Sequence, residues 1–338
     1  MRDTNVLFIW NVPEKLQQYL RKGLDDIKEL TLVFPENNIE EEFVKHTKDA
    51  DIIIGWRPSK DVLDTALKLK LFINPGVGVQ HLIDTFRELN QTKQIILVNG
   101  HGNTYFTAQH AVALLLALTN KIIPHHNWMV KGHWRRGDSD EKSIPLRNRR
   151  IGLLGYGAVN KKVHRFLSGF DNEFFILKRS WGSEEYLPTP SQKYKPEELE
   201  EFLKTIDVLI IGVPQTDETM GLIGKRELEL LGPDGLLVNI SRGLVVDEEA
   251  LYIALSQKII AGAAIDVWYN YQPEPDVDGR KFPTRFSFHE LDNVILSPHR
   301  GASPMDDLQR WDEVIENIRR YAAGREDFIN IVQLDRGY

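Results

Sequence analysis

The sequence contains no cysteine, which excludes disulfides, thiolate metal sites and a cysteine nucleophile, and no metal site is expected. It also lacks an excess of positive charge. With 42 Lys and Arg against 49 Asp and Glu the formal net charge is −7, so no overall basic field draws nucleic acid or an anionic membrane, and neither is expected as a partner. Long apolar runs are missing too. The longest, AVALLLAL at 111–118, is too short to cross a bilayer, and the amino-terminal MRDTNVLFIWNVPEKL carries no small-residue cleavage signal. A cytoplasmic location is therefore expected. Neither a repeat period nor a low-complexity tract is present. What remains is 338 residues, 42% apolar and 27% charged, the make-up of a soluble globular chain with room for two domains of ~100–200 residues each.

Short apolar runs alternate with amphipathic segments in two series. The first has runs at 6–10, 31–34, 52–55, 71–74 and 95–99; the second at 151–154, 174–177, 208–213, 236–240, 261–267 and 294–297. Such alternation reads as βαβ units, hence an α/β fold with two doubly wound parallel sheets. Between the series, TAQHAVALLLALTNKIIPHHNWMV at 107–130 reads as one long apolar helix, following Asn103 and Thr104 and buried as a connector. A last helix is expected over 304–323. It follows the second sheet, so the chain crosses back to the first lobe at about 299 and the first domain is discontinuous. The stretch 269–292, rich in proline, aromatics and charge, reads as a long loop, and loops of that length are uncommon unless functional.

The most informative unit is RRIGLLGYGAVNKKVHRFLSGFDNEFFILKRS at 149–180: strand, glycine turn, helix, second strand, two cations. Gly155 and Gly157 allow a tight turn and close approach to a pyrophosphate, and the helix that follows aims unpaired N–H groups at the phosphates. Asn160 stands where the G-x-G-x-x-G pattern has its third glycine, which serves helix–strand packing, and a slight displacement of the helix is expected. In the NAD version a carboxylate about 20 residues on binds the ribose 2′-OH. Here that place reads Lys178, Arg179, Ser180, which would attract a 2′-phosphate. NADP(H) is the cofactor implied, with NAD(H) possible.

Three other strand ends carry Arg242, in NISRGLVVDEEAL, Asp266, in AAIDVW, and His299, in ILSPHRGAS. Singly, a sheet-edge arginine is more often an ion pair, a strand-end aspartate a helix cap and a lone histidine a satisfied surface residue. Together, at the carboxyl edge of a parallel sheet where ligands bind, they read as a convergent site. Trp56 and Arg57 follow the run at 52–55, and such an arginine is most often simply solvated.

NPGVGVQHL at 74–82, NGHGNTYFTAQHAVALLLAL at 99–118, LLGYGAV at 153–159, the block 208–255, GAAIDVW at 262–268 and NVILSPHRGAS at 293–303 together closely resemble the D-isomer-specific 2-hydroxyacid dehydrogenase family. The resemblance covers nearly the whole chain. It implies two Rossmann-like domains with the active site in the cleft: a substrate domain of 1–103 plus 299–338 and a cofactor domain of 104–298. It implies that Arg242 holds the substrate carboxylate and carbonyl, that His299 gives a proton to the keto oxygen, and that Asp266 binds the nicotinamide carboxamide. Backbone amides of Val77 and Gly78 would meet the carboxylate; Ala158 and Val159 would contact the pyrophosphate; Val213, Pro214, Ile240 and Ser241 would line the cofactor cleft. A homodimer is expected by analogy.

Two departures stand out. The family pattern has a glutamate five residues after the strand-end aspartate, hydrogen-bonded to the catalytic histidine. That place is Tyr271, followed by Gln272-Pro273 and Glu274-Pro275. Either Glu274 takes the role across three extra residues, or Gln272 or Tyr271 orients His299 without a full charge, with Gln272 slightly favoured. Gln109 stands where a glutamate is common, without a firm reading. The function expected is reduction of a small 2-keto acid such as glyoxylate or hydroxypyruvate to the D-2-hydroxy acid. Alternatives are a non-catalytic dinucleotide-sensing, corepressor-like protein and a formate dehydrogenase-like enzyme, the latter disfavoured by Lys178 and Arg179.

Overall fold

The computed structural model describes residues 3–135, 141–182, 186–302 and 306–338. The chain divides into two units, Met1–Asn103 with Pro304–Tyr338, and Thr104–Ser303. All eleven expected runs form strands, within a residue or two at their ends.

The first unit begins β1 (Thr4–Phe8), α1 (Glu14–Gly23), β2 (Leu30–Val33), α2 (Glu40–Thr47), β3 (Ile52–Ile54), α3 (Lys60–Thr65), β4 (Leu71–Asn74), α4 (Gln80–Leu89), β5 (Ile96–Asn99). The strands pair in parallel in the order β2-β1-β3-β4-β5. Both faces are covered, which is why β3 can be three consecutive buried isoleucines. Val6, Phe8, Ile52 and Ile54 point into one apolar layer and Leu7, Ile53 and Phe72 into the other, the period-2 alternation of a strand.

The second unit runs α5 (Thr104–Thr119), α6 (Ile122–Val130), β6 (Arg150–Leu154), α7 (Ala158–Leu167), β7 (Glu173–Leu177), β8 (Ser191–Tyr194), α8 (Leu199–Thr205), β9 (Val208–Ile211), α9 (Lys225–Leu231), β10 (Leu236–Asn239), α10 (Glu248–Ser256), β11 (Gly262–Ile265), β12 (Val294–Leu296). Its parallel sheet has the order β12-β11-β10-β9-β6-β7-β8. The strand order reverses between β6 and β9, and a crevice outside the strand ends at such a reversal is where α/β sheets take ligands. After β12 the chain rejoins the first unit through α11 (Asp312–Ala322), which buries Val314, Ile318 and Tyr321.

The structure departs from the sequence-based expectations in four places. β8, reading SQKY, was not expected: it is an edge strand whose one buried side chain is Tyr194, so it carries no apolar run. The single long helix at 107–130 is two, α5 and α6, bent by 63° where Lys121 takes a left-handed backbone with φ 53°. α5 is buried within its unit, but α6 has no buried residue at all, so that half is no buried connector. The last helix begins at Asp312 after a 3-10 turn at Leu308–Trp311, while Pro304, its expected start, lies outside the described residues. The boundary falls after residue 303 rather than 298, because the Arg300 and Gly301 amides donate to Asp266 and tie this stretch, His299 included, into the second unit. No described helix is long and apolar enough by itself to cross a membrane.

Candidate active site

The end of β6 makes the phosphate cradle. Gly155 has φ +81°, and a Cβ there would come within 2.8 Å of Val213 and 2.9 Å of the Gly212 carbonyl. Only glycine fits. Gly157 caps α7, and a Cβ built on it meets nothing within 4 Å, so the space before the Ala158 and Val159 amides is open. The first turn of α7 carries no acidic side chain that would repel a phosphate. These residues fit a pyrophosphate on geometric grounds alone.

Asn160, at the third-glycine position, is 1% exposed and donates through Nδ2 to the Gly155 carbonyl at 2.7 Å and the Leu154 and Ile210 carbonyls at 3.3 Å. The room for it comes from Gly212, where a Cβ would sit 2.6 Å from Asn160 Nδ2. The asparagine thus bolts the first turn of α7 to the ends of β6 and β9.

At the end of β7, the Lys178 ammonium lies 4.7 Å from the centroid of the Trp181 ring, the exposed Arg179 pairs with Glu218, and Ser180 is exposed. Val213 and Pro214 follow β9, with the Thr219 hydroxyl donating to the Pro214 carbonyl at 2.6 Å. Ile240 and Ser241 are buried just past β10.

Buried Asn239, the last residue of β10, shapes the turn that presents Arg242. Its Oδ1 accepts from the Ser241 amide and hydroxyl, and its Nδ2 donates to the Arg242 carbonyl at 3.0 Å. Gly243 follows because any Cβ there would overlap the Trp268 carbonyl. The guanidinium is half-buried and donates through Nη1 to the Ser241 carbonyl at 2.6 Å. Burial holds its pKa below the ordinary value. Among the described residues no carboxylate pairs with it.

Asp266, 2% exposed at the end of β11, accepts from four donors. Oδ1 takes the Ser297 hydroxyl, the Arg300 amide at 2.6 Å and His110 Nε2 at 3.3 Å; Oδ2 takes the Gly301 amide at 2.9 Å. Burial raises its pKa, but these hydrogen bonds, those from His110 and Ser297 foremost, outweigh burial and leave the carboxyl below its ordinary range. His110 escaped the sequence reading: a lone histidine in an apolar helix carries no pattern. Its Nε2 lies 2.8 Å from Ser297 Oγ, so α5 is fastened to the strand ends by a polar contact.

His299 follows in the loop that Asp266 holds. Its φ is +56°, a conformation uncommon for a side chain of this size and found where surrounding structure imposes it. Burial of the ring lowers its pKa, with Asp266 pulling up and Arg242 pushing down. Of the three residues considered as its partner, Tyr271 lies against it, with ring centroids 5.4 Å apart and planes tilted by 56°. The Tyr271 hydroxyl accepts from the Trp268 amide at 3.2 Å. Glu274 and Gln272 are exposed, and neither side chain hydrogen-bonds the imidazole. A cavity of about 490 Å³, lined in part by Trp268, Tyr271, Phe282, Phe288, Ser297 and His299, adjoins the ring. The irregular stretch around it is stitched down: Phe282 stacks on His289 at 4.0 Å, and Arg285 donates to the buried Glu248.

In the first unit, Asn74 Nδ2 donates to the carbonyls of Gly76 and Gly78, and Asn99 Nδ2 donates to that of Val77 at 2.7 Å. The carbonyls of this turn are thereby occupied, while the Val77 and Gly78 amides have no acceptor among the described residues. Trp56 packs edge-on against Trp10 at 4.9 Å, and Arg57 beside it is exposed.

A nucleotide cradle at the strand reversal, with Arg, Asp and His on neighbouring strand ends, defines a dinucleotide-dependent oxidoreductase. Residues 112–301 match the model of the D-isomer specific 2-hydroxyacid dehydrogenase, NAD binding domain. The chain is 31% identical over 330 residues to a glyoxylate reductase of Pyrococcus furiosus, covering 87% of this chain and 92% of that one. It is 30% identical to a D-3-phosphoglycerate dehydrogenase of Archaeoglobus fulgidus, covering 94% of this chain but 57% of the relative. In fold it is similar to a D-isomer specific 2-hydroxyacid dehydrogenase from Xanthobacter autotrophicus Py2, with TM-score 0.79, 21% identity and full coverage of both chains. An NADPH-dependent glyoxylate/hydroxypyruvate reductase from Sinorhizobium meliloti gives TM-score 0.76 at 23% identity over 98% of each chain. The chain belongs to the D-isomer specific 2-hydroxyacid dehydrogenase family. A nicotinamide dinucleotide cofactor and 2-hydroxyacid dehydrogenase chemistry come with that membership.

Proposed function

We propose that this protein is an NADPH-dependent reductase of small 2-keto acids of the glyoxylate and hydroxypyruvate type, yielding D-2-hydroxy acids. The observation that carries the reading is Arg242: a half-buried guanidinium near His299, braced by Asn239, with no carboxylate among the described residues to neutralise it. Such a cation calls for an anionic ligand with the planar geometry of a carboxylate. The nicotinamide, when bound, supplies or accepts the hydride. Arg242 binds the carboxylate and polarises the carbonyl, and the His299 imidazole donates a proton to the keto oxygen during reduction or takes it back during oxidation. Asp266 keeps lone-pair capacity on Oδ2 for the carboxamide while it fixes the His299 loop. The Val77 and Gly78 amides are assigned to the carboxylate.

The basic end of β7 supports NADPH over NADH, because Lys178, Arg179 and Ser180 stand where a carboxylate would serve NAD. A homodimer is supported by α6, whose apolar Ile122, Ile123, Met129 and Val130 are all exposed. The test is oxidation of NADPH and of NADH by the purified protein with a panel of 2-keto acids. Turnover with glyoxylate or hydroxypyruvate, at least about tenfold more efficient with NADPH, is expected. Binding of dinucleotide with no turnover on any keto acid would instead identify a sensor.

A further inference from the structure

β8 adds a cation to the basic end of β7. The Tyr194 carbonyl at the end of this edge strand accepts two hydrogen bonds, from the Lys178 amide at 3.2 Å and from the Trp181 indole Nε1 at 3.0 Å. The first extends the β7–β8 ladder by one step beyond Leu177; the second pins the indole at the carboxyl edge of the sheet. Lys193 pairs with Ile176 one register position earlier, and its ammonium lies 4.9 Å from the Trp181 centroid, as that of Lys178 does at 4.7 Å. Two ammonium groups on one indole repel each other, and the attraction of each to the ring is weak. Lys193 is exposed and makes no ion pair among the described residues, whereas Arg179 has Glu218.

We propose that Lys193, with Lys178 against the same Trp181 ring, binds the 2′-phosphate of the cofactor, making β8 the strand that sets NADPH preference. This inference rests on the NADPH reading above. A phosphate dianion between the two lysines would replace their mutual repulsion with two charge-assisted contacts, and Trp181 holds both stems in place. An ordinary dinucleotide lacks that phosphate and gains nothing from Lys193.

The test is calorimetric titration with adenosine 2′,5′-bisphosphate and with 5′-AMP, fragments that need no turnover. The native protein is expected to bind the bisphosphate at least about tenfold more tightly. Lys193→Met should lose about tenfold for the bisphosphate and nothing for AMP, and Lys193→Arg should recover most of the loss. Thermal unfolding of each variant checks that the edge strand persists, since a surface substitution of this kind changes stability little. If the native protein binds both fragments equally, the NADPH reading itself fails. If it discriminates but Lys193→Met discriminates as well, β8 has no part in it. An equal loss for both fragments would make Lys193 a mere support for Trp181 and overturn the proposal.

Discussion

Replacing Tyr271 with glutamate restores a carboxylate at the position where the family pattern has one, beside a histidine that now lacks it. His299 is held below its ordinary pKa by burial, so the imidazolium needed for reduction is the minor form at neutral pH. kcat/KM for reduction follows the free protein and should be flat at acid pH, then fall about tenfold per unit above the His299 pKa. A carboxylate taking the place of the Tyr271 ring sits at about 5.4 Å. Coulomb's law there gives roughly 3 kcal/mol at an effective dielectric of ~20 and roughly 0.8 kcal/mol at ~80. At about 1.36 kcal/mol per unit, the pKa rises by roughly 0.6 to 2 units. The falling limb of Tyr271→Glu should move alkaline by that amount. KM for the keto acid should rise as well, because Arg242 lies within electrostatic reach of Tyr271 and gains a competing anion. Glu274→Gln, at an exposed site, should leave the limb where it was. The assay is a pH series of initial reduction rates for the three proteins. A native limb above pH ~7.5, a shifted limb in Glu274→Gln, or an unmoved one in Tyr271→Glu would refute a neutral His299 environment.

Arg242→Lys should lower kcat/KM by roughly 10- to 100-fold, since an ammonium cannot reproduce a bidentate fork, and steady-state kinetics at saturating NADPH will read it. Gly212→Ala should destabilise the second unit by about 1–3 kcal/mol by driving a methyl into buried Asn160, seen as a lower denaturant midpoint; an unchanged midpoint would mean that α7 yields freely. His164 is fully buried between the Tyr156 and Thr189 hydroxyls, at 2.8 and 2.7 Å, and burial lowers its pKa to about 4. The unfolded chain binds that proton near pH 6.5 and the folded one does not, so stability is present above 6.5 and lost as pH falls toward 4. His164→Gln should flatten the denaturation midpoint over that window; an unchanged slope would assign the acid sensitivity elsewhere.

Most of the strands that could be read from sequence share one property: they bury apolar side chains on both faces. Ile52–Ile54 and Val208–Ile211 declare themselves because parallel strands covered by helices have no polar side to show. β8 does not, since an edge strand that buries only Tyr194 can be written SQKY. The break between α5 and α6 was hidden for another reason. It rests on a left-handed backbone at Lys121, and its one mark in the sequence is Pro124 in the first turn of α6, whose missing N–H cannot continue the hydrogen bonding of α5. In the site, Arg242, Asp266 and His299 were legible as polar residues closing apolar strands, and a glycine turn before a helix announces its phosphate cradle. His110 was not legible, because its partners Ser297 and Asp266 are remote in sequence and only the fold brings them within reach. The choice among Tyr271, Gln272 and Glu274 likewise depends on the path of a proline-bearing loop, which spacing alone does not determine.

Asn160 and Gly212 show what the third glycine of a dinucleotide motif specifies. The requirement is a fixed volume where the first turn of the helix crosses the neighbouring strand end, and it can be met from either side. In this chain the side chain sits on the helix and the vacancy on the strand, a lock whose key and keyhole have changed places. The two positions are therefore one unit of inheritance: Gly212→Ala alone collides, Asn160→Gly alone takes the Nδ2 donor from the Gly155 carbonyl and leaves a void, and the pair changed together recovers part of what each loses. Any redesign of this cofactor site has to move both residues at once, and a search that demands three glycines in the helix turn passes over chains that keep the third one on the strand.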